Sequence, residues 1–73
     1  MRTEKELIKR IRNTSAEYGG LYITTDELNI IQESVFVNTC EYVGLRDGHR
    51  GLDTYHVTLI DDNGLKSLYI IED

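Results

Sequence analysis

Cys40, His49 and His56 are the chain's only thiol and imidazole groups, so any soft-metal or thiol–imidazole chemistry would have to use them. A zinc site takes four ligands, commonly paired as C-x2-C or H-x3-H, and no such pair occurs. Nucleophilic catalysis would set Cys40 or a serine beside a histidine and an orienting acid. Those residue types are present, but at no motif spacing, and the sequence therefore predicts no catalytic residue, no metal site and no cofactor. Asp61-Asp62-Asn63-Gly64 concentrates oxygen ligands. Its acids are adjacent rather than spaced as a calcium loop requires, so it reads as a turn. Arg46-Asp47-Gly48-His49-Arg50-Gly51 combines glycines with guanidinium donors, but it lacks the G-x-x-x-x-G-K-[ST] phosphate loop and reads as a charged connection.

The elements that would position these groups are those of a small α+β fold. Thr3 with Glu6 has capping-box spacing and starts a helix over about residues 3–16. Leu7, Ile8 and Ile11 form its apolar face, and Gly19-Gly20 ends it. Leu21-Tyr22-Ile23 is a short extended segment. Thr24 with Glu27 repeats the capping-box spacing, and Asp26 and Glu27 suit the positive end of a second short helix whose buried face is Leu28 and Ile31. Residues Ser34–Val43 carry two patterns. Leu28, Ile31, Val35, Thr39 and Tyr42 continue a helical period, whereas Val35, Val37, Thr39 and Val43 are β-branched and favour a strand. The strand is the preferred reading. Thr54–Ile60 alternates with Tyr55, Val57 and Leu59 on one face, and Leu65–Ile71 returns after a turn at Asp61–Gly64, since Asn-Gly between β-rich runs is a strong hairpin signal. The predicted architecture is an N-terminal helix, with a second short helix, on a three- or four-stranded antiparallel sheet ending in a β-hairpin.

Seventy-three residues support one small core, so residues 1–73 are expected to form a single domain. One cysteine forms no internal disulfide, and no apolar run approaches the length of a membrane span. Together with the lack of a recognisable signal peptide, this fits a cytoplasmic protein with no membrane partner. The net charge of -5 is unevenly spread. Arg2, Lys5, Lys9, Arg10 and Arg12 make the first twelve residues basic, and residues 13–45 contain no Lys or Arg. A general nucleic-acid binder needs a cationic surface, so direct nucleic-acid binding is disfavoured, with the basic helix and the Arg46/Arg50 loop as its route. A protein partner with a basic surface is the better match. Five tyrosines offer more aromatic area than so small a core absorbs, and tyrosine is enriched at interfaces.

Gln32-Glu33-Ser34-Val35 follows a predicted N-terminal helix and precedes predicted antiparallel strands. In this it resembles the first strand of the phage uracil-DNA glycosylase inhibitors, whose Glu-Ser pair enters the enzyme's DNA-binding cleft. The resemblance covers four residues of 73 and carries over no site. It implies that a small acidic α+β protein can act as an inhibitor of this kind.

The functional expectation is a non-enzymatic acidic protein-binding module. A small inhibitor of phage or mobile-element type, a DNA mimic that caps a basic nucleic-acid-binding surface, is its concrete form. Glu33, Glu41, Tyr42, Asp61 and Asp62 are the expected protein-binding residues. The alternative is a self-associating structural or regulatory module, a homodimer in its simplest form.

Overall fold

A computed structural model of the chain describes residues 2–14, 20–45 and 52–71. The elements are α1 (Glu4–Asn13), β1 (Leu21–Thr24), α2 (Thr25–Glu33), β2 (Val37–Leu45), β3 (Asp53–Leu59) and β4 (Asp62–Ile71). The Arg46–Gly51 loop, Tyr18, Gly19 and the last two residues of the expected first helix lie outside the described residues.

Both helices start where local chemistry places them. Thr3 Oγ1 accepts the Glu6 N–H at 3.3 Å while the Glu6 carboxylate accepts the Thr3 N–H at 3.3 Å. Thr24 and Glu27 repeat the box at 3.2 and 3.0 Å. Each box pairs two donors that a helix start otherwise leaves open. Leu7, Ile8 and Ile11 of α1 and Leu28 and Ile31 of α2 face the core, as their spacing predicts. The last turn of α1 is closed from the sheet, where Lys66 Nζ donates to the Thr14 carbonyl at 3.0 Å. A cation there also suits the negative end of the helix.

The sheet has four strands in the order β1-β4-β3-β2. It is mixed rather than wholly antiparallel. β2 pairs antiparallel with β3 and β3 with β4, but β1 lies parallel to β4, with Leu21 opposite Leu68 and Ile23 opposite Ile70. A parallel pair cannot be joined by a tight turn, so no hairpin signal marks it in the sequence. Here the chain passes from β1 to β4 through α2, β2 and β3. β1 and β2 run in the same direction at opposite edges, and α2 returns the chain between them.

The hairpin between β3 and β4 also differs from expectation. Leu59 pairs with Asp62, so Ile60-Asp61 is the turn and β4 begins at Asp62. Asn63-Gly64 sits in an irregularity of β4, where the register shifts between Val57 and Leu59. The local reason is that Asp62 Oδ1 accepts the Gly64 N–H at 2.8 Å, which folds the backbone back inside the strand. Residues Ser34–Phe36, expected in a strand, form the α2 cap and a turn, and the strand starts at Val37. Glu33 and Ser34 therefore end a helix, unlike the strand their resemblance to the glycosylase inhibitors implies.

One face of the sheet carries the core. Leu21, Ile23, Val57, Leu59, Leu68 and Ile70 pack on the helical Leu7, Ile8, Ile11, Leu28 and Ile31. The register places Tyr22, Thr39, Glu41, Thr54, His56, Thr58, Ser67 and Tyr69 on the other face. Tyr69 and Thr54 are buried there all the same, and the Tyr22 ring lies 5.2 Å from that of Tyr69. Gly20 fits this close packing because it has no side chain. A methyl added at Gly20 would meet the Ser67 carbonyl oxygen and come within 2.6 Å of Tyr69 Cε2.

Candidate functional site

Strand register separates the groups that nucleophilic chemistry would bring together. Cys40 pairs with Val57 on the helix-facing side, whereas His56 pairs with Glu41 on the other side. Cys40 and His56 therefore point to opposite faces. Burial pushes the Cys40 thiol up, away from the reactive thiolate. Ser67, His56 and Glu41 do sit side by side across three strands, but no hydrogen bond joins them. Among the described residues no three His, Cys, Asp or Glu side chains cluster as metal ligands. His49 lies outside them.

An open depression of about 400 Å³ is lined by Arg2, Glu6, Thr24 and Glu27, where the two helix starts meet. Its polar groups already satisfy one another. Glu27 is buried and accepts from the Arg2 N–H at 3.2 Å and from the Arg2 guanidinium at 3.3 Å, besides capping α2. Burial pushes the Glu27 carboxyl up, but the Thr24 and Arg2 backbone N–H groups and the Arg2 charge outweigh it, so the pKa is net lowered. The arrangement is a structural tie between the two helices.

The expected protein-binding residues fall into two groups. Glu33, Asp61 and Asp62 come to one end of the sheet, where the α2–β2 turn and the β3–β4 turn are joined by a 3.0 Å bond from the Ile60 N–H to the Phe36 carbonyl. Glu41 and Tyr42 lie midway along β2, exposed, and on opposite faces. Tyr42 packs on Tyr55 with ring centroids 5.2 Å apart and donates to Asp53 Oδ1 at 3.0 Å. That bond pushes its phenol up.

Two of the expected anions are not free. Asp61 pairs with Arg12 at 2.7 Å. The Gly64 N–H, aided by Lys66 3.7 Å away, holds the Asp62 carboxyl below its ordinary range. Arg12 also lies 5.7 Å over the Phe36 ring. The basic stripe of α1 is reduced in the same way, because Arg2 and Arg12 turn back onto Glu27 and Asp61. Lys5, Lys9 and Arg10 are exposed and take no part in an ion pair among the described residues.

At the turn end the sequence reading missed the apolar centre. Val35 is 76% exposed, Ile60 62% and Phe36 39%, all held on connections where polar residues are the norm. One sequence signal was available for Ile60. If Tyr55, Val57 and Leu59 face the core, strict alternation turns Ile60 away from it. β2 adds Tyr42, Val43 and Leu45 to the exposed apolar surface.

No protein family, curated protein or solved structure was found to match the chain. Among the described residues no helix is long and apolar enough to cross a membrane.

Proposed function

We propose that the chain is a non-catalytic protein-binding module that engages its partner through the turn end of the sheet. Val35, Phe36 and Ile60 form the apolar centre, and Glu33, Asp61 and Asp62, against Arg12 and Lys66, form a charged rim. The observation that carries this reading is the bond between the two turns, which holds exposed Ile60 beside Phe36. An apolar centre with a polar rim is the usual anatomy of a recognition surface. The net charge of -5 selects for a partner whose contact face is basic. A nucleic-acid-binding face of another protein is the target class that fits, with inhibition by occlusion as the outcome. The ion pairs of Arg2 and Arg12 weigh against direct nucleic-acid binding through α1, since they occupy two of the five cations among Arg2, Lys5, Lys9, Arg10 and Arg12.

The test is capture from bacterial lysate with wild-type chain and with Ile60→Lys, at low and high salt. Ile60 is exposed, so the substitution should change stability by no more than about 0.5 kcal/mol. A DNA-handling protein held by the wild type at low salt, released at high salt and lost with I60K is the expected result. Equal capture by both chains would remove the turn end from the interface.

A further inference from the structure

We propose that two copies of this chain pair antiparallel through their β2 edges, joining two four-stranded sheets into one of eight strands around a two-fold axis at Cys40. This goes beyond the partner-binding reading and uses a different surface. β2 ends the strand order, so its outer side has no strand partner among the described residues. It is nine residues long and its only charge is Glu41. It carries no Lys and no Pro, two of the devices that usually guard an edge against a second chain. The other edge strand, β1, has four residues, and the last of them, Thr24, is engaged in the α2 cap through its N–H bond to Glu27.

The register of β2 selects the occupant. Irregularities between Val37 and Thr39 and between Tyr42 and Gly44 confine regular strand geometry to Thr39–Tyr42. Gly44, at φ 98°, belongs to the second of them. A two-fold axis perpendicular to the sheet must pass through a residue pair, because residues that face each other share a side of the sheet. Two axes keep three pairs within Thr39–Tyr42. An axis at Glu41 sets two carboxylates directly opposite, which is destabilising. An axis at Cys40 sets each Glu41 against the Thr39 hydroxyl of the second copy, so the edge is complementary to itself. So short a pairing makes a weak, reversible dimer, and two chains of charge -5 repel, so added salt should strengthen it. Binding to a basic partner responds to salt in the opposite sense.

The experiment is sedimentation equilibrium of the wild type, Thr39→Lys and Thr39→Glu across a range of concentration and salt. Both variants lose the 2.6 Å contact between Thr39 and Thr58, so that loss cancels between them. T39K places a cation opposite Glu41 twice per dimer and T39E places an anion there twice. The dimerisation constants of the two should differ by about two- to thirty-fold in favour of T39K, with the wild type between them. Circular dichroism melts establish that all three chains are folded. Should a variant fail to fold, hydrogen exchange of the wild type decides: the outward amides of Thr39–Tyr42 should gain protection as concentration rises. A wild type that stays monomeric at every concentration and salt overturns the dimer. Equal constants for T39K and T39E overturn the Cys40 axis. Loss of partner capture with I60K alongside intact dimerisation leaves the two readings separately decided.

Discussion

β4 and β2 are strands of ten and nine residues, similar in their share of apolar and aromatic side chains, and they meet opposite fates. On β4 the consecutive Leu68, Tyr69 and Ile70 are all buried, while no residue of β2 is. The difference is position in the sheet. β4 is paired on both sides and covered by helices, so its helix-facing residues meet the core and Tyr69 is enclosed from the other side. β2 has one neighbour, and its apolar residues beyond Cys40 extend past the helical cover. Strand propensity therefore describes both equally well and says nothing about which will hold the fold together. Burial decides that, and it assigns stability to β4 and availability to β2 and the turn beside it.

The sharpest test of that division is a pair of truncations. Leu68→Ala removes a fully buried side chain from the centre of the core and should cost about 2–5 kcal/mol in denaturant unfolding. Val43→Ala on β2 should change stability by no more than about 0.5 kcal/mol. Comparable losses at the two sites would mean that β2 belongs to the stabilising core.

The face of β4 turned away from the helices provides the next test. Gly20→Ala drives a methyl into the Ser67 carbonyl and the Tyr69 ring, and overpacking of this kind should cost about 1–3 kcal/mol. A smaller loss would show that the Gly20 backbone can withdraw and that the burial of Tyr69 does not depend on close approach.

The smallest expected loss among the buried positions is electrostatic. The Glu27 pKa is lowered in the fold, so the folded state holds the proton less tightly than the unfolded chain. Its contribution is therefore fully present above the unfolded pKa of about 4.3 and fades as pH falls through the lower folded value. Glu27→Gln should cost about 1–2 kcal/mol near neutral pH, and the gap between the two melting curves should narrow as pH falls below the unfolded value of about 4.3. A gap independent of pH would mean that the Arg2 pairing contributes through shape and not through charge.

The parts of the fold that the sequence made legible are those decided within a few residues. Thr3 and Glu6, like Thr24 and Glu27, are three apart and form their boxes whatever the rest of the chain does. The helix faces Leu7, Ile8, Ile11, Leu28 and Ile31 follow from a period of 3.6. The parallel β1–β4 pair was hidden because its partners are joined only through α2 and two further strands. The Asn63-Gly64 turn was misplaced because the side chain of Asp62 captures the Gly64 amide and shifts the tight turn to Ile60-Asp61. The candidate site was legible only as a composition. Asp61 and Asp62 looked like free anions because Arg12 is far along the chain from Asp61 and Lys66 reaches Asp62 only through the irregular backbone between them. Glu33 could not be placed beside Phe36 and Ile60 until the two turns were seen to be bonded.

The parallel pairing of the first strand with the last also sets the order of assembly. β1 finds its neighbour only in residues 68–71, so a chain still being synthesised holds a β1 segment without its partner strand. The β2–β3 hairpin can close earlier, because its partners are near in sequence. β4 lies between β3 and β1, and its placement buries Leu68 and Ile70. Until then the core lacks Leu68 and Ile70. The nascent chain is consequently most exposed to wrong pairing through β1 and the sheet interior, while the edge that stays open in the finished fold has already found its own neighbour.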